Sequence, residues 1–372
     1  MNTKMNRREA IAAFAAITTT GAVAAQESPG EQDEAEVLRT GPRNLITDVE
    51  GLKVGQSQDA AIRTGVTVIL PDEPAVAACD VRGGGPASRE TDVLKSENLV
   101  QEVDGIVLSG GSVYGLASAD GVAAWMGARN RGFSFRPTSG IPPSPILPTA
   151  CLYDLANGGD KDWGMSPPYR DLGVEAVEAV SQAFDLGTAG AGYGANAGGL
   201  KGGIGSASGI TGDGATVGAI AAVNSMGSAV APGSRQFWAA PFEIDNEFGR
   251  LGSSELKVEG GEYSRDMLPR ENTTIACVAT DVALSRVELQ RIAIMANDGM
   301  ARALRPSHAP FDGDIVFSLS TGRRVADETV PRPVLVTRLG TMAADVLARA
   351  IARAVYEATS FAEGGSPAWR DL

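Results

Sequence analysis

The stretch Pro269-Arg270-Glu271-Asn272-Thr273-Thr274-Ile275-Ala276-Cys277-Val278-Ala279-Thr280-Asp281, PRENTTIACVATD, passes from a charged, turn-prone lead straight into a strand. From Thr273 the side chains alternate. Thr273, Ile275, Cys277 and Ala279 fall on one face, and Thr274, Ala276, Val278 and Thr280 on the other. A strand of this composition belongs inside the protein, yet it opens on a bare Asn-Thr step. An Asn closing a loop before a β-branched Thr accounts for the step in ordinary terms. Asn272-Thr273-Thr274 also fits the N-glycosylation pattern, which matters only in a glycosylating host. In a third reading Thr273 is a latent nucleophile: its hydroxyl attacks the Asn272 carbonyl, cuts the chain and leaves Thr273 with a free α-amine.

Working outward, Ser285 with Glu288 three residues on forms a capping box for a helix running to about Leu304. A Pro-rich loop, the strand DIVFSLSTG and a final helix from Met342 to about Ala358 follow. Residues 273–372 thus read as a complete β-α-β-α block that Thr273 begins. Upstream, NLITDVEGLKVG, GVTVILP and AVAACDV predict strands, and Asp80 to Gly85 (DVRGGG) a glycine-rich turn. The segment from Gly105 reads as strand, Gly/Ser bend and helix. A further helix is expected from about Val174 to Phe184, with Val174, Val177 and Val180 apolar. The centre, GTAGAGYGANAGGLKGGIGSASG, is dense in glycine, and ATVGAIAAVNSMG predicts a strand ending at Asn224.

Composition excludes several classes. A net charge of −13 argues against nucleic acid or anionic lipid as partner. With 43% hydrophobic residues, no run reaches the length of a membrane span. Residues 1–26 have a basic start with Arg7-Arg8, a weakly apolar middle and small residues at Ala22-Val23-Ala24. They read as an export signal of twin-arginine type, which places the protein in the periplasm or outside the cell. Residues 27–40 follow as an acidic, solvated arm. The three cysteines, Cys79, Cys151 and Cys277, form no disulfide framework.

Histidine scarcity is the strongest exclusion. His308 is the only one, in the Pro-flanked loop RPSHAPFDGD, and reads as a loop residue rather than a catalyst. That removes Ser-His-Asp and Cys-His machinery and the usual zinc ligand sets, so no metal is expected. The glycine-rich centre meets neither the dinucleotide nor the P-loop requirement, and Gly110-Gly111-Ser112 is not a nucleophile elbow. Catalysis without histidine remains. A Thr freed at a chain start can use its own α-amine, of ordinary pKa about 7.7–8.0, as base or relay. Such a site needs carboxylates and oxyanion donors. Asp312 and Asp314 share a face at the mouth of the next strand, and two close carboxylates tend to share a proton. Lys201 and Asn224 are candidate donors.

The stretches NLITDVEGLKVGQ, GIVLSGGSVYGL, KGGIGSAS, NTTIACVATD and GDIVFSLST together resemble the self-cleaving family of L-aminopeptidase/D-esterases and β-peptidyl aminopeptidases. The likeness runs from about Asn44 to the C-terminus and is strongest to the nylon-oligomer hydrolase branch. It implies cleavage between Asn272 and Thr273, with Thr273 as nucleophile. That branch pairs Thr with two Asp residues, matched by Asp312 and Asp314, whereas the aminopeptidase branch more often uses Ser with a Ser/Glu pair. Lys201 matches the family lysine, Asn224 the asparagine before the cleavage region, and Tyr153 in CLYDL the active-site tyrosine that borders the substrate. The implied fold is an α/β sandwich layered α-β-β-α, N-terminal-nucleophile-like and similar to ornithine acetyltransferase. One domain, residues 41–372, is expected to be self-cleaved into 41–272 and 273–372 and to assemble as a homo-oligomer, a tetramer. The implied activity is cofactor-free hydrolysis of linear amides such as 6-aminohexanoate oligomers through an acyl-threonine. The alternative is an exported aminopeptidase for β- or small L-amino-acid peptides. Acyl transfer and a non-enzymatic binding scaffold are the other classes.

Overall fold

The computed structural model describes residues 38–136, 140–256 and 272–372. The expected export signal, most of the expected acidic arm and the Pro269–Glu271 lead lie outside the described residues. Leu38–Thr40, expected from the sequence to be part of the arm, belong to the folded unit of residues 38–372. Arg39 bridges antiparallel to Ile210, whose amide donates to its carbonyl at 2.8 Å.

In chain order the strands are β1 (Leu52–Asp59), β2 (Thr64–Pro71), β3 (Ala75–Val81), β4 (Ala87–Arg89), β5 (Glu102–Val103), β6 (Ile106–Ser109) and β7 (Thr149–Cys151). They continue with β8 (Asn196–Ala197), β9 (Leu200–Lys201), β10 (Gly203–Ile210), β11 (Thr216–Asn224), β12 (Thr273–Val282) and β13 (Ile315–Arg324). The helices are α1 (Ser118–Gly127), α2 (Tyr169–Glu178), α3 (Arg286–Ala303) and α4 (Arg332–Tyr356).

β12 decides the architecture. All ten of its residues are buried, which requires a layer on each side. Ile275, Cys277 and Ala279 enter a core shared with Ile69, Leu108 and Phe317, while Ala276 and Val278 join Leu289, Ile292 and Leu347 in a second core. The first core lies between a six-stranded sheet, ordered β10-β11-β12-β13-β3-β5, and a five-stranded sheet, ordered β1-β2-β6-β7-β4. The second lies between the six-stranded sheet and α3 and α4. A third packs α1 and α2 on the five-stranded sheet through Val66, Val122, Tyr169 and Leu172. The layers run α-β-β-α. Each large apolar side chain buried in these cores contributes about 1.5–3 kcal/mol. Small residues let α4 lie close to the sheet: a methyl group on Gly205 would meet the Ala350 carbonyl at 1.9 Å.

Three elements differ from their sequence expectation. Asn44–Glu50 is not strand: Ile46–Asp48 forms a 3₁₀ turn because the Asp48 carboxylate takes the amides of Arg43 (3.0 Å) and Leu45 (3.2 Å), and β1 starts at Leu52. α2 begins at Tyr169 after Pro168 and stops at Glu178, before Val180, because Ser181 exchanges two backbone hydrogen bonds with Val54 of β1. α4 begins at Arg332, ten residues early, with Leu335, Val336 and Leu339 buried in its first turns. The capping box at Ser285 is present: the Ser285 amide donates to Glu288 Oε2 at 2.8 Å and the Glu288 amide to Ser285 Oγ at 3.4 Å.

Candidate active site

Several chain ends meet at one end of the six-stranded sheet. β11 finishes at Asn224, directly opposite Thr273, the first residue of β12. β13 runs parallel to β12 with Ile315 beside Ile275, so Asp312-Gly313-Asp314 lies beside Asn272-Thr273-Thr274. Asn272 and Asp312 form a parallel bridge that extends this pairing past the strand ends. β3 leaves the sheet at Val81, opposite Ile315, and enters the glycine turn. There the amides of Gly83, Gly84 and Gly85 donate to the carbonyls of Asp314 (3.2 Å), Ala309 (3.4 Å) and Asp312 (2.8 Å). A methyl group on Gly83 would sit 2.2 Å from the Asp314 nitrogen, so this close backbone approach requires glycine. The turn braces the aspartate segment from the side opposite β12.

The Asn272–Thr273 bond is held in a polarised state. Thr273 Oγ1 donates to the Asn272 carbonyl oxygen, and the Gly313 amide donates to the same oxygen at 3.1 Å. Thr273 is buried. The Asp314 carboxylate is one residue away, its Oδ1 accepting the Thr274 amide at 2.8 Å. Asp312 is also buried, with Oδ2 accepting the Ala309 amide at 3.0 Å and Oδ1 the Met226 amide at 3.4 Å. Burial, followed by the charge of Asp314, pushes Asp312 up to about 6. A carboxylate in that range can take and return a proton near neutrality.

Asn224 holds the floor of the site. Its Oδ1 accepts the Asn196 amide at 2.8 Å and its Nδ2 donates to the Tyr153 carbonyl at 2.8 Å. Tyr153 is therefore tied to the site through its backbone. Lys201 stands in β9, paired with Asn196 of β8, and is fully buried. Its Nζ donates to the carbonyls of Ala195 (2.9 Å), Gly202 (2.9 Å) and Gly192 (3.4 Å). Desolvation lowers Lys201 to about 7, against an opposing pull from Asp154. The donors of Lys201 and Asn224 are thus engaged with backbone carbonyls, and a donor on the Asn272 carbonyl is the Gly313 amide.

Three residues make contacts in or beside the site that sequence reasoning did not anticipate. Gly313 lies between the two aspartates, and a methyl there would sit 2.7 Å from Thr273 Oγ1. His308, read as a loop residue, places both its amide and Nδ1 at 2.9 Å from Asp314 Oδ2. Asp154, beside Tyr153, is a buried carboxylate that accepts from Thr64 Oγ1 (2.7 Å) and the Gly111 amide (2.8 Å), and burial raises its pKa. The signal for His308 was its place in a Pro-rich loop six residues before Asp314. Asp154 carried none. Among the described residues no group of three or more His, Cys, Asp or Glu is arranged to hold a metal ion, and no helix is long and apolar enough to cross a membrane.

Comparison with known proteins identifies the family of the chain. A Mycobacterium bovis protein described as an uncharacterised aminopeptidase is 41% identical over 352 residues, covering 88% of this chain and 98% of its own. A 6-aminohexanoate-oligomer endohydrolase of a Kocuria species is 29% identical over 337 residues, covering 87% and 89%. The solved L-aminopeptidase D-Ala-esterase/amidase of Ochrobactrum anthropi, described as a new variant among the Ntn hydrolase fold, superposes with a TM-score of 0.62 at 22% identity. It covers 86% of this chain and 88% of its own. The four-layer sandwich is therefore of the N-terminal-nucleophile type. Residues 44–366 match the model of Peptidase family S58; the chain belongs to that family and is a hydrolase of amide or peptide bonds.

Proposed function

We propose that the protein cuts itself between Asn272 and Thr273 and then hydrolyses linear amides through an acyl-threonine. The observation that carries this reading is the convergence on one carbonyl: Thr273 Oγ1 and the Gly313 amide both bind the Asn272 oxygen, with Asp312 and Asp314 alongside. In self-cleavage, Oγ attacks the Asn272 carbonyl carbon and its proton passes to the carboxylate pair. The Gly313 amide stabilises the oxyanion. The Thr273 nitrogen leaves as an amine carrying the proton, and water hydrolyses the Asn272–Thr273 ester. In turnover the freed α-amine joins the proton relay, and a substrate amide repeats the sequence: attack by Oγ, protonation of the leaving amine, hydrolysis of the ester. Lys201 and Asn224 position the substrate carbonyl or its oxyanion, and Tyr153 borders the acyl group.

Thr with Asp-x-Asp favours ω-amino-acid amides, and the 29% identical relative is named for 6-aminohexanoate oligomers. A second reading is an aminopeptidase for β- or small L-amino-acid peptides; the 41% identical relative, described as an aminopeptidase, supports the aminopeptidase part of it. Assays of 6-aminohexanoate oligomers beside β-alanyl and L-alanyl anilides separate the two. Oligomer cleavage supports the first; release from anilides alone assigns the second. Activity that survives Thr273→Ala on every substrate refutes the mechanism. Export by residues 1–26, solvation of the arm and tetramer assembly are part of the same proposal, tested by fractionating cells and weighing the purified protein in solution.

A further inference from the structure

His308 is the chain's one histidine, and it reaches the carboxylate pair by an unusual route. Its backbone is left-handed, with φ 56°, a conformation that non-glycine residues seldom adopt. That twist turns two consecutive amides onto the two carboxylates: His308 N–H onto Asp314 Oδ2 at 2.9 Å and Ala309 N–H onto Asp312 Oδ2 at 3.0 Å. It also folds the largely buried imidazole inward, so that Nδ1 meets the same Asp314 oxygen at 2.9 Å. With Thr274 N–H on Oδ1 at 2.8 Å, both oxygens of Asp314 are held from opposite sides.

We propose that His308 is a positioning residue for the carboxylate pair: its amide and ring N–H hold Asp314 in one orientation beside the Asn272–Thr273 step, with Asp312 as the member that takes up and releases the proton. The inference rests on the reading that Asp312 and Asp314 serve Thr273. Three N–H donors converge on Asp314, and the neighbouring carboxylate disfavours ionisation of Asp312. Asp312 follows that rule, raised first by burial and then by Asp314, while the imidazole pulls it the other way. Among the described residues, two charged side chains beside this loop have partners of their own. Arg82 Nε pairs with Asp80 at 2.5 Å, and Arg305 lies over the Trp238 ring. The ring proton must sit on Nδ1 for this donation.

Two substitutions separate the ring from the backbone. His308→Gly keeps the amide and the left-handed turn but removes the ring; His308→Asn tolerates the same backbone and restores an N–H close to the Nδ1 position. For His308→Gly we expect kcat and the self-cleavage rate to fall about 10- to 100-fold. KM should be nearly unchanged, and the acid limb of the pH profile should move to higher pH, because the imidazole opposes the upward push on Asp312. His308→Asn should recover most of the rate. Native rates and a native acid limb in His308→Gly would overturn the proposal, as would equal impairment of both variants with the acid limb unmoved. An independent readout needs no variant: in untagged protein the imidazole ¹⁵N spectrum reports one residue. A protonated, hydrogen-bonded Nδ1 supports the proposal, and a bare Nδ1 overturns it. Thr273→Ala serves as control. If it is inactive while His308→Gly is native, the inference alone fails; if it stays active, the functional reading fails as well.

Discussion

Replacing Gly313 by alanine puts a methyl carbon 2.7 Å from Thr273 Oγ1 and 2.9 Å from the Gly85 carbonyl oxygen. Relaxed non-bonded contacts begin near about 3.5 Å, so the hydroxyl must retreat by roughly 0.8 Å or rotate off the Asn272 carbonyl. The Gly85 carbonyl blocks the opposite escape, because the glycine turn is bonded to this segment through the Asp312 carbonyl at 2.8 Å. The amide of residue 313 survives the change, so the oxyanion donor is kept and the loss isolates the orientation of the nucleophile. Misplacement on the order of 1 Å costs about 10²-fold in rate, and overpacking costs about 1–3 kcal/mol in stability. A cell-free synthesis pulse followed by gel or mass analysis should show the uncut Gly313→Ala chain persisting about a hundred times longer than native. A melting curve checks that it folds. Cleavage at the native rate would refute the placement of the Thr273 hydroxyl against Gly313.

The remaining perturbations test neighbouring groups. Asp312, raised to about 6, gives a base that is lost as pH falls through 6, and Lys201, lowered to about 7, loses its charge as pH rises through 7. Turnover should therefore follow a narrow bell whose acid limb disappears in Asp312→Asn; an unchanged acid limb in that variant contradicts the assignment. Asn224→Ala leaves the Asn196 amide and the Tyr153 carbonyl without their shared partner, costing about 1–3 kcal/mol by denaturant melt and lowering turnover; a melt within error of native counts against its bridging role. Gly205→Ala, on the face of β10 that meets α4, drives a methyl into the Ala350 carbonyl and should destabilise the fold while leaving self-cleavage of the folded fraction intact. A native melt for that variant would contradict the contact between α4 and the sheet.

What the sequence made legible follows from period and side-chain chemistry. The two faces of β12, the end of β11 at Asn224 and the Ser285 cap each depend on residues close together in the chain, where alternation or a three-residue spacing suffices. The start of α4 was hidden because arginines and Gly340 dilute its apolar stripe, although Gly340 is where Met295 packs. α2 was misplaced because Val180 continues a helical period that the bridge from Ser181 to Val54 cuts short. Thr273, Asp312 and Asp314 could be named, but not Gly313, whose part depends on a parallel register between strands separated by α3. His308 lies in a loop, as expected, but its contact with Asp314 was not legible, because it depends on one residue in a left-handed conformation that sequence period does not encode.

Intact-mass measurement of the purified native protein beside Thr273→Ala tests the central claim most directly. The account predicts two native fragments that copurify, the smaller spanning residues 273–372 with Thr273 as its first residue, and a single uncut chain for Thr273→Ala. A native protein that hydrolyses amides as one intact chain, or a Thr273→Ala chain cut equally well at the same bond, would contradict it.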